Sequence, residues 1–255
     1  MMGSAQPTAS DAKRRGFGSL LDEFFDGIFC VNLDTRPDRW RYIRAHLNSF
    51  GLDRALRRFP AVDIRKDPQI LQHEKLLRDN FSLLGMCGCM LSHRRIVELA
   101  KAENLRNVLV FEDDVKILDG NIASLSDSLA DLSELDWDIF YLGATYLFEL
   151  KRAGDFLVRA ANGAYATHAI AYNHTIYDQI LSNLPANFEE YLASDAFAVN
   201  AFDKWLQAGP FDRDKFYGTN PIMVVQGLQE SDIAFNQAPG IEQTQVELFY
   251  RNVGS

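Results

Sequence analysis

The sequence predicts an α/β fold built on a mostly parallel sheet, on three observations. Short apolar runs alternate with segments of helical spacing along most of the chain. Several of those runs stop abruptly in polar residues, as buried strands do at the rim of a sheet. Apolar residues make up 47% of the 255 positions, enough to bury a sizeable core. No repeat and no Gly-, Pro- or Ser-rich linker divides the chain, so a single domain is expected over residues 26–240.

The opening "MMGSAQPTASDAKRRGFGS" has no apolar signal core, and residues 1–25 read as a flexible tail. "IFCVNL" (Ile28–Leu33) is a buried strand. Pro37 suits the first turn of the following helix, with Asp34 or Thr35 as its cap. Trp40, Ile43, Leu47 and Phe50 recur at helical spacing, and Gly51 closes the element. "RRFPAVD" (Arg57–Asp63) reads as an edge strand. A helix is expected from Gly85, with Met86, Met90, His93, Val97 and Ala100 on its apolar face. Further strands are "NVLVF" (Asn107–Phe111), "WDIFYLG" (Trp137–Gly143), "FLVRAA", "ATHAIAYN" and "PIMVVQ" (Pro221–Gln226). Residues 121–135, Tyr177–Leu184 and Asp195–Gln207 read as helical, and residues 241–255 as a C-terminal tail.

The net charge of −9 argues against nucleic acid as a partner. Charge is uneven: residues 1–60 hold ten Lys/Arg against seven Asp/Glu, and the remainder sixteen against twenty-eight. Such a balance suits an anionic small ligand or a local membrane contact. The three cysteines, Cys30, Cys87 and Cys89, are sparse and odd in number, which implies a reducing compartment. They do not make a four-ligand zinc site, because no second cysteine pair or paired histidines follow. No run of eighteen apolar residues is present, so no transmembrane segment is expected. A cytoplasmic location follows, with Lys13-Arg14-Arg15 as a peripheral contact at the inner membrane.

Chemistry concentrates at "VLVFEDDV" (Val108–Val115), where a buried strand runs into Glu112, Asp113 and Asp114. At an effective dielectric near 20, two carboxylates ~6 Å apart repel by roughly 3 kcal/mol. Protonation, cationic partners or a metal must relieve that repulsion. If the extended geometry persists, Glu112 and Asp114 share one side and Asp113 faces away. That pair can hold one hard cation together with phosphate oxygens, favouring Mn²⁺ or Mg²⁺ over Zn²⁺. Neither a Walker loop nor G-x-G-x-x-G is present, which argues against P-loop ATPases and ordinary nicotinamide enzymes. A nucleotide-sugar transferase and a metal-dependent phosphohydrolase both remain compatible.

Seven stretches in order resemble glycosyltransferase family 25, which includes bacterial lipopolysaccharide and lipooligosaccharide galactosyltransferases and procollagen galactosyltransferases. "CVNLDTRPDRW" is similar to its opening Asn-Leu-Asp-x-Arg-Pro-Asp-Arg, and "FPAVD" to its Ala-Val-Asp. "GMCGCMLSHRRIVELA" resembles its Gly-Cys-x-x-Ser-His helix, and "NVLVFEDDV" its strand and acidic motif. "THAIAYN" resembles Thr-His-Ala-Tyr with Ile170 in place of tyrosine. "FDKWL" has Phe202 where proline is usual, and "VVQGLQESDI" resembles the closing Gln…Ser-Asp-Ile. The resemblance runs from about residue 26 to 235. It implies a GT-A fold, a Rossmann-like nucleotide half fused to an acceptor half, and inverting transfer of galactose or glucose from a UDP-sugar using Mn²⁺ (or Mg²⁺). The acceptor it implies is a glycan or hydroxylysine hydroxyl, and lipopolysaccharide biosynthesis is one setting.

Under that resemblance Asp114 is the metal ligand, with Glu112 as a second ligand or, like Asp113, a contact to ribose or a metal-bound water. Asn32 and Arg36 lie where a GT-A fold holds the nucleotide, and Arg36 suits charge-assisted bonds to uracil or phosphate. Arg39 either joins them or pairs with Asp34 or Asp38. Ser92 and His93 match the family helix. His93 lies on an apolar stripe, and His168 shares a strand side with Ile170 and Tyr172, so each is either a packed core histidine or substrate-facing. An inverting transfer needs a base for the acceptor hydroxyl proton. Asp203 is the candidate by motif position; Asp195, eight residues earlier on the same expected helix, is the alternative and falls ~80° away around its axis. Gln226, Ser231 and Asp232 close the donor site. Cys89 is read as packing, with no nucleophilic role. Trp205 is read as core or, alternatively, as an acceptor platform. The rival functions are a metal-dependent nucleotide-sugar hydrolase and a non-catalytic nucleotide-sugar binding protein.

Overall fold

A computed structural model describes residues 8–71, 81–161, 164–194, 201–227 and 241–253. Its centre is an eight-stranded mixed sheet in the order β2-β1-β3-β8-β5-β9-β7-β6. The strands are β1 (Gly27–Asn32), β2 (Leu56–Pro60), β3 (Asn107–Glu112), β5 (Ile139–Tyr146), β6 (Lys151–Arg152), β7 (Leu157–Arg159), β8 (Ala164–Asn173) and β9 (Phe216–Thr219). A separate two-stranded sheet pairs β4 (Val115–Ile117) with β10 (Val224–Gln226). The β2-β1-β3 block is parallel, as is the β5–β9 pair. β8 runs antiparallel to both neighbours, and β7 is antiparallel to β9 and β6.

Period-two alternation along the central strands divides the core into two layers. Phe29, Val108, Val110, Tyr141, Ile170 and Tyr172 face one layer. Ile28, Cys30, Leu109, Phe111, Phe140 and Ala169 face the other. The first layer is covered by α4 (Phe81–Ala102), α6 (His174–Asn183), α7 (Phe188–Ala193) and α8 (Phe202–Ala208). The second is covered by α1 (Ala9–Phe24), α2 (Pro37–Ser49) and α5 (Leu125–Ser133). The short α3 (Pro68–Leu71) lies between β2 and α4 in the chain, and α9 (Ile241–Asn252) ends the described residues.

Two expectations are corrected here. The segment read as an N-terminal tail is helical from Ala9. Thr8 and Asp11 form a capping box, and Phe17, Leu21 and Phe25 are buried in the second layer. Gly18 allows this contact: its N–H donates to Phe50 O at 2.9 Å, and a Cβ there would lie 2.4 Å from the same oxygen. The segment read as a C-terminal tail is α9, whose Phe249 is fully buried beside Tyr146. Phe17, Leu20, Leu21, Phe24 and Phe25 recur at helical spacing, a pattern in the second half of α1 that the tail reading passed over.

The helix expected over Asp195–Gln207 is α8, which starts at Phe202, while residues 195–200 lie outside those described. The helix expected from Gly85 starts four residues earlier, at Phe81. Among the described residues no helix is long and apolar enough to cross a membrane.

Candidate active site

A cavity of about 650 Å³ opens beyond the carboxyl ends of β1 and β3. This is where an α/β sheet takes its ligands, since strand ends and the following helix starts converge there. Its lining includes Asn32, Arg39, Ser92, His93, Glu112, Asp113, Asp114, Asp203 and Gln226, all expected from sequence.

The acid triplet does not continue as an extended segment. β3 ends at Glu112, Asp113 and Asp114 form a turn, and β4 begins at Val115 to pair with β10. The expected pairing of Glu112 with Asp114 on one side is therefore not formed. Asp113 and Asp114 instead share the guanidinium of Arg39: Nη2 contacts Asp113 Oδ1 and lies 3.6 Å from Asp114 Oδ2. All three side chains are buried. Arg39 thus answers the repulsion noted in the sequence, rather than pairing with Asp34 or Asp38. Its position follows from α2, whose first turn lies directly after the β1 end.

Asn32 is buried between cation and anion. Its Nδ2 donates to Asp113 Oδ2 at 2.6 Å, and its Oδ1 accepts from Arg58 Nε at 3.0 Å. Arg58 also reaches Asp34 Oδ1 at 2.8 Å. Arg36, expected at the nucleotide, is not among the lining residues; its guanidinium pairs with Asp38 in the first turn of α2 at 3.2 Å. Of the arginines around the β1 end, Arg39 lines the cavity, while Arg36 and Arg58 do not.

Glu112 turns into a different environment. Its Oε1 accepts from Thr167 Oγ1 at 2.7 Å and lies 3.9 Å from both Cys89 Sγ and His93 Nε2. Burial pushes its carboxyl up, but the facing His93 and the Thr167 hydroxyl outweigh this and hold it below the usual carboxylate range. Burial, and next the Glu112 charge, push the Cys89 thiol well above its ordinary range. The thiol is therefore held protonated, in keeping with the absence of a nucleophilic role. His93 is fully buried; its Nδ1 pairs with Tyr172 Oη at 2.8 Å, and its ring lies 5.0 Å from that of Phe202.

Ser92 is a tie between segments. Its Oγ donates to Gly88 O at 2.6 Å, the i−4 back-bond common for helical serine, and accepts from Val62 N at 2.8 Å. A Cβ at Gly88 would stand 2.4 Å from Val62 O, so the helix approaches the Ala61–Asp63 segment at backbone distance. His168 is fully buried and is not among the lining residues. Its Nε2 lies 3.3 Å from Val224 O, and burial lowers its pKa to about 4. It is a core histidine held neutral, not a group facing the cavity.

Asp203, in the first turn of α8, accepts from Ala166 N at 2.8 Å and from Lys204 N at 2.7 Å. Ala166 has φ +62°, a left-handed conformation that costs an L-residue about 1–2 kcal/mol, and the Asp203 bond holds it there. Trp205 packs against Phe202 and Phe211, 6% exposed, and takes the core reading. Asp195, Ser231 and Asp232 lie outside the described residues. Gln226 donates its backbone N–H to Gln245 Oε1 at 2.8 Å, and Gln245 Nε2 donates to Thr145 Oγ1 at 2.7 Å.

Sequence reasoning gave no role to Arg58, Thr167 or Gln245. The first two stand inside quoted strands, Arg58 in the middle of β2 and Thr167 within β8, and their place beside the motif residues Phe59 and His168 was the signal. Gln245 lies on α9, where no local signal pointed to the cavity.

A mixed α/β sheet with a carboxylate-lined cavity beyond its strand ends defines a class of ligand-binding α/β proteins. The profile described as glycosyltransferase family 25 (LPS biosynthesis protein) matches residues 25–188. This chain belongs to glycosyltransferase family 25. Its mixed α/β architecture is of the GT-A type that the family implies. It is 32% identical over 219 residues to the rat "probable inactive glycosyltransferase 25 family member 3", covering 80% of this chain and 36% of the relative. The mouse "inactive glycosyltransferase 25 family member 3" is 33% identical, over 76% of this chain and 34% of its own length. A Drosophila melanogaster "glycosyltransferase 25 family member" is 23% identical, over 78% and 35%. The chain thus spans about a third of the length of these relatives. Family membership supports a glycosyltransferase role.

Proposed function

We propose that the chain transfers a hexose, galactose or glucose, from a UDP-sugar to a hydroxyl of a glycan or hydroxylysine acceptor, with inversion. The observation that carries this reading is the convergence of motif residues from five separate segments on one cavity: Asn32, Arg39, His93, Asp113, Asp114 and Asp203.

The donor set suits a divalent ion. Asp113 and Asp114 offer hard carboxylate oxygens at the cavity wall, the chemistry that Mn²⁺ or Mg²⁺ prefers. Such an ion, when bound, supplies positive charge to the diphosphate of the departing UDP. Arg39 places a permanent cation against the same carboxylates and suits phosphate oxygens by its planar fork. Asn32 orients Asp113 through its amide. Asp203 is the base for the acceptor hydroxyl proton; its two backbone bonds orient the carboxylate and leave it further accepting capacity. The proposal includes a cytoplasmic location with membrane contact through exposed Lys13 and Arg15, since Arg14 is engaged by Asp119.

A second reading, a non-catalytic nucleotide-sugar binder, draws support from the rat and mouse relatives described as inactive. Incubation with radiolabelled UDP-galactose or UDP-glucose, Mn²⁺ and candidate acceptors separates the readings. Acceptor-dependent transfer is the expected result. Sugar release without regard to acceptor indicates a hydrolase, and metal-dependent binding with no turnover indicates the binder. Asp203→Asn is expected to keep UDP binding and lower transfer about 10²–10⁴-fold, the usual contribution of a general base. Unchanged transfer in that variant removes Asp203 from the role.

A further inference from the structure

We propose that Cys89, His93 and Glu112 form a second cation site, for a zinc-class ion, separate from the Asp113–Asp114 pair. Cys89 and His93 stand at i and i+4 on α4, so their side chains lie on one face, one turn apart. Glu112 arrives opposite them from the end of β3. The three donor atoms lie within 4.8 Å of one another, with Sγ–Oε1 and Nε2–Oε1 each 3.9 Å. A tetrahedral ion with ligand bonds of about 2.0–2.3 Å needs donor separations of roughly 3.3–3.8 Å. Closing that gap takes side-chain rotation rather than backbone movement.

The decisive feature is His93. It is fully buried, yet Nε2 has no hydrogen-bond partner, and the nearest acidic oxygen is the 3.9 Å contact to Glu112. Nδ1 is taken by Tyr172 Oη, which fixes the ring and aims Nε2 at Glu112 and Cys89. That is the outer-shell arrangement typical of a metal-bound imidazole, whose other nitrogen is held by an oxygen. The Thr167 hydroxyl orients Glu112 in the same way. Among the described residues no lysine or arginine pairs with Glu112, in contrast to Asp113 and Asp114. A thiol, an imidazole and a carboxylate together select Zn²⁺ over Mn²⁺ or Mg²⁺. All three residues line the cavity, so the fourth position opens to water or to a hydroxyl of a bound sugar.

Cobalt titration of the full chain tests the site, because Co²⁺ takes zinc positions and reports a thiolate ligand by its charge-transfer band. One equivalent is expected to give the band, Zn²⁺ to abolish it, and Cys89→Ser to lack it while Cys87→Ser retains it. Zn²⁺ affinity, read by competition with a chromophoric chelator, should fall at least tenfold in His93→Gln. In Tyr172→Phe the loss should be about 10–100-fold, as for other outer-shell partners. Absence of the band in the folded wild-type chain, or its survival in Cys89→Ser, overturns the site. Circular dichroism checks folding; if Cys89→Ser does not fold, His93→Gln and the wild-type titration decide. Mn²⁺-dependent UDP binding in the same samples keeps this test apart from the transferase reading. Absence of the cobalt band in the wild-type chain with UDP binding intact overturns this site alone.

Discussion

The two walls of the cavity differ in how they balance charge, although three consecutive residues feed both. On one wall Asp113 and Asp114 are buried against Arg39, with Asn32 and Arg58 extending the network. On the other wall Glu112 meets only a hydroxyl at bonding distance, with a thiol and an imidazole nitrogen standing further off. The first wall is compensated by an arginine, and the Glu112 wall, among the described residues, by none. Glu112 is half-buried and leans on the facing His93 and the Thr167 hydroxyl, so a bound cation there would add the charge partner that no described lysine or arginine supplies.

The comparison breaks most directly at Arg39. Arg39→Ala removes the guanidinium shared by two buried carboxylates and should cost about 3–5 kcal/mol, read as a fall in the urea midpoint. Glu112→Gln, on the wall without an arginine partner, should cost well under half as much. Equal losses in the two variants would erase the distinction between the walls.

Behind the Glu112 wall, His168 sets an acid limit. Its folded pKa of about 4 lies below the ordinary 6.5, so between those values the unfolded chain binds the extra proton and stability falls as pH falls. Those 2.5 units correspond to about 3 kcal/mol. Denaturant melts across this range should show the decline, and His168→Gln should flatten it. An unchanged profile would remove the neutral buried histidine from the account.

On the arginine-compensated wall, Asp114→Ala should weaken Mn²⁺-dependent UDP binding at least tenfold, or about 1.4 kcal/mol, by calorimetry. Donor affinity that ignores this substitution would move the ion elsewhere. The smallest effect is expected at Ala166, whose positive φ suits glycine. Ala166→Gly should stabilise the chain slightly, by up to about 1 kcal/mol, seen as a small rise in melting temperature, since relief of backbone strain is partly offset by glycine's freer unfolded chain. A destabilised variant would mean that the methyl group packs more tightly than the strain it imposes.

Much of the fold is legible in local pattern. Val108, Leu109, Val110 and Phe111 are apolar on both faces and form a central strand buried in both layers. Pro37 starts α2, and the motif order brought Asn32, His93 and the acids to one set of strand ends. The sites at Arg36 and His168 were misplaced because position in a motif does not say which neighbour captures a side chain. Asp38 holds the first, and the core encloses the second.

The amino-acid sequence by itself determined the alternation of strands and helices, the rim position of the acids and the family to which the chain belongs. Tertiary structure alone decided how those acids divide. The turn at Asp113–Asp114 exists because Val115–Ile117 pairs with Val224–Gln226 and because the Ile117 N–H donates to His46 on α2. It likewise decided that both terminal segments are helices packed on the core. Such contacts join residues about a hundred positions apart, and no local propensity encodes them; they form only when burial and backbone hydrogen bonding are satisfied across the whole sheet at once.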